Sequence, residues 1–321
     1  MEKKKVILDV DTGTDDAIAI MTAVMSENLE VLGVCAVNGN RGIDFTTENT
    51  LRVVEYLGKD IPVFRGCSLP MVVSLTEGRR EDIPYKGPKD PQDNVHGDYI
   101  DLPPATIQEQ PVSAVRWLVD TLMASEGDIT LIPVGPLTNI ATALRIEPRI
   151  AQKIKRIVIM GGGCREVNIT PTAEFNFWID PEAAKIVFDC GCDILVVPLD
   201  ATHAAAVSIR TAEALERKGT KPATLTARII RQRQNAYKHW QPMADIDSVP
   251  VHDALAVCAV LDESVLGPVV ETYADVDIGK GAADGMSIFD LDNRYKDRKK
   301  NVKVALGADP EHFADMLLNI L

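Results

Sequence analysis

The chain has 321 residues, of which 46% are hydrophobic and 25% charged, enough apolar material for one large core. Its formal net charge is -13, from 34 basic and 47 acidic side chains; a surface that acidic repels phosphate backbones and anionic lipid, which argues against a nucleic-acid or membrane partner. The start, Met1-Glu2-Lys3-Lys4-Lys5 and a brief apolar run, is too soon interrupted by Asp9 and Asp11 to be expected as a signal peptide, and no run long enough to span a bilayer follows.

Short β-rich apolar runs alternate with helical patterns along the chain. Residues 6–10 read as a buried strand and 15–25 as a helix. A second strand over 31–37, an amphipathic helix over 46–57 and a short strand over 61–64 follow. The stretch 67–110 is rich in Pro, Gly and charge, with no sustained period. It is too long for a plain connection, so it is expected to be functional or mobile. Next come a helix over 112–124, a strand over 129–134, a helix over 137–144 and a strand over 157–160 that runs into Gly161-Gly162-Gly163. A helix over 181–188, a strand over 194–198 and helical patterns over 211–217 and 222–237 continue the alternation. The chain closes with a helix over 251–261, a strand-like run over 269–277, a strand over 302–306 and a helix over 310–321.

Strands alternating with helices predict one α/β domain over residues 1–321, with a mostly parallel sheet covered by helices on both faces. In that architecture ligands bind beyond the carboxyl ends of the strands. The six cysteines, Cys35, Cys67, Cys164, Cys190, Cys192 and Cys258, are scattered without a CxxC pair. They read as buried, reduced thiols of a cytoplasmic protein rather than as a zinc site.

The first strand ends in an acidic cluster, Asp9-Val10-Asp11-Thr12-Gly13-Thr14-Asp15-Asp16. Helix starts favour aspartate through capping and the dipole, which accounts for Asp15 or Asp16 alone. It does not account for four carboxylates, because like charges that close repel unless a cation neutralises them. Hard oxygen ligands select Mg²⁺ or Ca²⁺. Two enzyme classes fit this segment by itself. One is a phosphotransferase of the haloacid-dehalogenase type, with Asp9 as nucleophile. The other is the inosine–uridine-preferring nucleoside hydrolase family, whose opening pattern Asp-x-Asp-x-Gly-x-Asp-Asp is matched here at every fixed position.

Further motifs extend the second resemblance along the chain. Asn38-Gly39-Asn40 follows the second strand, and Pro133-Val134-Gly135-Pro136-Leu137-Thr138-Asn139 follows a central one. Met160-Gly161-Gly162-Gly163 leads to Asn168 and then to Ala173-Glu174-Phe175-Asn176. Asp180-Pro181-Glu182-Ala183-Ala184, Pro198-Leu199-Asp200, Val251-His252-Asp253-Ala254, Asn301-Val302 and Phe313 complete the set. Each piece alone has a structural reading. The glycine run lacks GxGxxG spacing and a P-loop lysine, so a phosphate cradle is a weak reading. Asp180-Pro181 is a good helix start and is assigned to structure. Asp200 is left outside the site, and His203, His239 and His312 receive no role.

What the resemblance implies is a ribonucleoside hydrolase with a role in nucleoside salvage, working through Ca²⁺. Asp11, Asp16 and Asp253, with the main-chain carbonyl of Val134, would hold the ion. Asp11 would also act as general base, with Asp9 orienting the cluster from behind. Asp15, Asn40, Asn168, Glu174 and Asn176 would meet the ribose. His252 would protonate the departing base, and His96, Tyr237 and Trp240 would line the base pocket. The partner is a small ribonucleoside, and by analogy the protein is a homo-oligomer, a dimer or tetramer. Relatives carry a Gly-rich stretch after His-Gly, whereas this chain has His96-Gly97-Asp98-Tyr99-Ile100-Asp101. A Gly-poor loop has less backbone freedom and is expected to close differently. A non-catalytic ribose- or nucleoside-binding protein is the remaining alternative; it would have no need of a general base.

Losing one transition-state charge contact lowers rate by about 10²–10³. Asp11→Ala is therefore expected to reduce turnover by at least that order while circular dichroism stays that of the parent chain. Near-parental turnover would remove Asp11 from the chemistry.

Overall fold

A central strand of a doubly covered sheet must be apolar on both faces, and β1 (Lys4–Val10) shows how the chain achieves this. Val6, Leu8 and Val10 enter one hydrophobic cluster, while Ile7 enters the cluster on the other side. The same two-residue alternation recurs in β4 (Ile129–Pro133), where Leu131 and Ile132 face opposite clusters. The computed structural model describes residues 2–80, 85, 95–241, 243 and 245–321, and only the backbone of Trp240.

β1 is followed by α1 (Thr14–Met25), β2 (Leu29–Ala36), α2 (Ile43–Leu57) and β3 (Val63–Arg65). α2 ends where Gly58 takes φ 63, a left-handed cap that suits glycine. After a long connection come α3 (Ala114–Ala124), β4, α4 (Thr138–Ile146) and β5 (Ile154–Met160). α5 (Phe175–Ile179), α6 (Pro181–Phe188), β6 (Ile194–Val197), α7 (Leu199–Ala204), β7 (Val207–Ser208), α8 (Ile209–Lys218) and α9 (Lys221–Trp240) follow. The chain ends with β8 (Ser248–Val249), α10 (His252–Leu261), β9 (Val269–Thr272), β10 (Ala274–Val276), β11 (Ser287–Phe289), β12 (Val302–Ala305) and α11 (Pro310–Ile320).

Eight strands form the main sheet in the order β3-β2-β1-β4-β5-β6-β12-β9. All neighbours pair in parallel except β9, which runs antiparallel to β12 at the edge. The single α/β domain with a mostly parallel sheet is as expected. The winding reverses between β1 and β4: β2 and β3 lie on one side of β1, and β5 and β6 lie beyond β4. A crevice opens at the carboxyl ends of strands at such a switch point.

Several details differ from the sequence reading. Residues 269–277 form two strands in different sheets, not one. The Asn301 side chain takes the backbone of Ala274, accepting from its N–H at 2.7 Å and donating to its carbonyl at 3.0 Å. The ladder between β9 and β12 therefore stops at Thr272, and β10 turns away to pair with β11. The short helices α5 and α7 have too few turns to show a period. Only Cys35 and Cys258 are buried; the other four cysteines are partly exposed, and all six are free. Within the stretch 67–110, residues 95–110 are tied to α2: Asn49 pairs with Ile100 and Asp98, and Arg52 donates to the carbonyl of Leu102 at 3.1 Å. Among the described residues no helix is long and apolar enough to cross a membrane.

Asp180 joins three segments from one buried carboxylate. It caps α6 by accepting from Ala183 N at 3.1 Å, and it also accepts from Met71 N at 2.9 Å and from the Thr138 hydroxyl at 2.7 Å. Asp180→Ala removes a cap and leaves buried donors unpaired, so it should lower unfolding free energy by about 2–3 kcal/mol. Urea denaturation checks this; a loss within about 0.5 kcal/mol, the range of a neutral surface change, would contradict it.

Candidate active site

The crevice between β1 and β4 is where the acidic cluster lies. Beyond Val10 the backbone leaves the sheet and enters α1, and Asp16 fixes this turn. Its Oδ2 accepts from Gly13 N at 2.8 Å and its Oδ1 from Asp11 N at 3.1 Å. The turn after β2 comes alongside: Asn40 N donates to Asp11 Oδ2 at 2.7 Å, and Asn40 Nδ2 reaches Asp11 O at 3.2 Å and Asp16 Oδ2 at 3.3 Å. The Asp11 carboxylate lies so close to two backbones that a Cβ on Gly39 or Gly135 would overlap it. Only glycine permits that approach. Asp253, in the first turn of α10, completes the group; oxygens of Asp15, Asp16 and Asp253 lie within 4.8 Å of one another.

All four carboxylates are buried, yet they do not share one electrostatic fate. Burial is the largest influence on Asp15 and would raise it, but the guanidinium of Arg233, 2.8 Å from its Oδ1, leads several favourable contacts that together hold Asp15 below the ordinary carboxylate value. Burial, reinforced by the neighbouring carboxylates, pushes Asp11 and Asp253 well up and raises Asp16 to about 7. Asp11, Asp16 and Asp253 thus form a buried set of carboxyl groups whose charge is costly, with no ion pair among the described residues. That donor set fits a hard divalent cation, which would neutralise it.

Arg233 is 1% exposed and is the cation that sequence reasoning missed. It also donates to the Thr14 hydroxyl at 2.8 Å, the Pro250 carbonyl at 3.1 Å and the Tyr237 hydroxyl at 3.4 Å. A signal was present: Arg233 sits on the buried stripe of α9, between Ile229 and Ile230 on one side and Ala236 and Tyr237 on the other. A charge on an apolar stripe calls for a partner.

His252 is engaged at both ring nitrogens: Nδ1 with the Thr202 hydroxyl at 2.7 Å and Nε2 with the Tyr237 hydroxyl at 2.7 Å. Burial, followed by the charge of Arg233, holds this imidazole well below its ordinary value, so it is neutral near pH 7. A neutral ring has one donor and one acceptor nitrogen. With Arg233 donating to the Tyr237 oxygen, the Tyr237 hydrogen is directed to Nε2, and Nδ1–H points to Thr202. His96 is also neutral, lowered by burial to about 4, and its Nδ1 accepts from Thr14 N at 3.2 Å.

The opposite wall comes from the α5 region. Glu174 caps α5, accepting from Asn176 N and Phe177 N, and also from Gly162 N at 2.8 Å. Burial lifts it to about 7 against those donors. Asn176 Nδ2 donates to the carbonyls of Val134 at 2.8 Å and Met160 at 3.1 Å. Asn168 Oδ1 accepts from Phe175 N at 2.9 Å.

One cleft is lined by Asp11, Asp15, Asn40, His96, Val134, Asn168, Glu174, Asn176, Tyr237, His252 and Asp253, so eleven of the expected site residues converge. Asp16 lies directly behind Asp11. Asp9 does not join them. Its Oδ1 accepts from Asn139 Nδ2 at 2.9 Å on the α4 side, burial raises it to about 8, and it is outside the cleft lining. Asp9 therefore acts on the cluster only through the backbone it shares with Asp11, and it is poorly placed as a nucleophile. The Trp240 side chain lies outside the described residues. Arg41, Tyr85, Ile169 and Phe175 also line the cleft and were not foreseen. Asp200 holds the glycine turn, accepting from Cys164 N at 2.6 Å and Arg165 N at 3.0 Å, the structural role expected of it.

Comparison with known proteins places this geometry. The family model described as "Inosine-uridine preferring nucleoside hydrolase" matches residues 6–315. The chain is 36% identical over 318 residues to the pyrimidine-specific ribonucleoside hydrolase RihB of Escherichia coli, covering 98% of this chain and 95% of that one. Among solved structures, a plant nucleoside hydrolase, PpNRh1, superposes with a TM-score of 0.86 at 29% identity, covering 98% of each chain. The purine-preferring ribonucleoside hydrolase from Gardnerella vaginalis superposes with a TM-score of 0.85 at 28% identity, covering 98% of this chain and 97% of that one.

Removing one partner of a buried ion pair typically destabilises by about 3–5 kcal/mol. Arg233→Met should lose stability of that order in urea denaturation with chelator present, and adding Asp15→Asn should recover part of it. A loss below about 1 kcal/mol, the level of an exposed pair, would mean Asp15 does not depend on Arg233.

Proposed function

This chain belongs to the inosine-uridine preferring nucleoside hydrolase family, and from that premise we propose how its cleft works and what it holds. The reaction is hydrolysis of the N-glycosidic bond of a ribonucleoside to free base and ribose. Bond breaking develops positive charge on the anomeric carbon and ring oxygen. An enzyme must supply an activated water, a negative surrounding for that charge, and a proton or hydrogen bond for the departing base.

We assign a Ca²⁺ site to Asp11, Asp16, Asp253 and the Val134 carbonyl, which keeps a lone pair beside its bond from Asn176. The observation that supports this is the division among the carboxylates: Asp15 is ion-paired with Arg233 at 2.8 Å, whereas Asp11, Asp16 and Asp253 have no ion pair among the described residues, and oxygens of Asp16 and Asp253 lie within 4.8 Å of each other. When bound, the ion lowers the pKa of a water toward neutrality. Asp11 takes the proton from the attacking water, its carboxylate fixed by Asn40 N and enclosed by two glycine backbones. Asp15, kept ionised by Arg233, accepts from the ribose hydroxyls together with Asn40, Asn168, Glu174 and Asn176. The buried carboxylates provide the negative surrounding for the oxocarbenium-like transition state.

At the other end, protonation of the departing base belongs to the His252–Tyr237 pair. His252 is neutral and its Nε2 already accepts from Tyr237. The proton is thus held on the Tyr237 hydroxyl rather than stored on the imidazole. His96 closes the same end, and Trp240 is retained as a base-pocket residue on the resemblance alone. Six free cysteines support a cytoplasmic setting, and the release of free base and ribose is the ground for a role in nucleoside salvage. A homo-oligomer, dimer or tetramer, is supported by the exposed apolar residues Leu69, Val72 and Leu75, the last 82% exposed.

Purified protein incubated with uridine, cytidine, inosine and adenosine should release base and ribose from one or more of them. A chelator should abolish the release, and added Ca²⁺ should restore it. Undiminished turnover in chelator would overturn the ion's role. Tyr237→Phe should lower kcat by about 10²-fold on natural nucleosides, the scale of a lost general acid. On a riboside with a nitrophenolate leaving group, which departs without a proton, the same variant should act nearly as the parent does. An equal loss on both substrates would assign Tyr237 to binding instead.

A further inference from the structure

The hairpin of β10 and β11 stands outside the main sheet, and hydrolysis as described above gives it no task. It lies against the wall of the cleft that carries Glu174, and that wall is weakly built in itself. The Glu174 carboxylate is held by three backbone donors, Gly162 N at 2.8 Å, Asn176 N at 2.9 Å and Phe177 N at 3.2 Å. The first belongs to a glycine turn and the other two to α5, a helix of five residues. A helix that short is not stable alone, and glycines leave a turn few backbone restraints.

The hairpin supplies restraints at both places. At the turn, the Ser287 hydroxyl accepts from Gly163 N at 2.9 Å and donates to the Gly163 carbonyl at 2.9 Å, which fixes the residue next to Gly162. At the far end of α5, Arg80 donates to the Trp178 carbonyl from Nε at 3.1 Å and from Nη2 at 2.6 Å. That carbonyl is one of those a helix end cannot pair within itself. The Arg80 guanidinium also covers the Trp178 ring, 4.2 Å from its centroid. Asp284 of the hairpin fixes Arg80 in turn, accepting from its Nη1 at 2.5 Å, and takes Arg79 in a two-pronged pair at 2.9 and 2.7 Å. The side chains of Arg79, Arg80 and Asp284 are only 4%, 6% and 8% exposed. A forked, enclosed arginine–carboxylate contact of this kind fixes geometry as well as charge. Two further contacts press the hairpin onto the same wall. A Cβ on Gly285, at φ 85, would lie 2.7 Å from the Trp178 Cα, and the Thr172 hydroxyl donates to the Ala282 carbonyl at 2.6 Å.

We infer that the β10–β11 hairpin positions the Glu174 carboxylate for the sugar, with Ser287 and Asp284 as its positioning residues. Ser287 sets the glycine turn, and Asp284, acting through Arg80, sets the end of α5. The inference rests on the reading that Glu174 meets the ribose. Neither Ser287 nor Asp284 belongs to the cleft lining, so both act through the groups they hold. Because Glu174 takes its donors from the turn and from α5 together, movement of either one moves the carboxylate. A misplacement of about 1 Å in a substrate-orienting group, caused from a distance, lowers rate by as much as about 10²-fold.

Hydrogen exchange read by mass spectrometry and steady-state hydrolysis of ribonucleosides test this on the whole protein. Ser287→Ala and Asp284→Asn should each speed amide exchange in peptides spanning residues 161–179 by about tenfold or more, while peptides of β1 and β4 keep the parental rate. Each should also lower kcat/KM by about tenfold on the nucleoside the parent cleaves fastest. The loss caused by Ser287→Ala should vanish in a Glu174→Ala background and persist in full in a Tyr237→Phe background, because residues that act through one group couple and distant ones add. Thermal melting of each variant establishes that it is folded. Unchanged exchange over 161–179 overturns the proposal, and so does faster exchange with a parental kcat/KM. An equal loss in the Glu174→Ala and Tyr237→Phe backgrounds also overturns it, leaving the hairpin a purely structural part. A parent chain that cleaves no nucleoside overturns the hydrolase reading instead, and faster exchange in the variants would then still support the hold of the hairpin on Glu174.

Discussion

Four buried carboxylates held together around one guanidinium are the constraint on which the rest of this structure turns. Mutual repulsion would scatter them, so the fold must supply donors at close range. It does so mainly from the backbone: Gly13 N and Asp11 N serve Asp16, and Asn40 N serves Asp11. Arg233 serves Asp15 and, through Thr14 and Pro250, fastens α9 to the start of α1 and to the segment before α10. The helices that cover this end of the sheet are therefore positioned by the same charges that make the site.

The cleft has two ends of different construction. The end proposed for the sugar rests on the ends of β1, β4 and β5, strands packed on both faces, and its amides and carboxylates are tied to backbone groups. Such groups are pre-organised, and little reorganisation is needed when charge develops on the sugar. The end proposed for the base rests on α9 and on loop residues such as Tyr85, Val95, His96 and Ile169. Loops carried on a rigid scaffold are where specificity varies most readily between proteins sharing one chemistry. A common sugar site with a separately built base site follows from that division.

Burial has opposite consequences within a few ångströms. It makes the carboxylates without an ion pair costly in the absence of a cation, which is why a hard ion would have affinity for the proposed site. It also keeps His96 and His252 neutral, so that neither imidazole adds positive charge beside the carboxylates. The Tyr237–His252–Thr202 chain then orients hydrogen without carrying charge.

Most of the strands and helices, the α/β class and many of the residues that line the cleft were legible in the sequence, because each leaves a local trace. Two-faced apolar runs mark buried parallel strands, and Asp11, Asp15, Asp16, Glu174, Asn176 and Asp253 fall in short motifs at strand or helix ends. What lies far apart in the chain and meets only in space left no such trace. Arg233 reaches Asp15 across more than two hundred residues, and Asn301 ends the β9 ladder by capturing Ala274. The facing of Asp9 toward Asn139 rather than toward Asp11 also depends on where β1 leaves the sheet. Sequence spacing records which residues share an element. Which carboxylate pairs with Arg233, and which have no ion pair among the described residues, was decided by the packing of α9 against α1, because electrostatic partnership depends on distance in three dimensions.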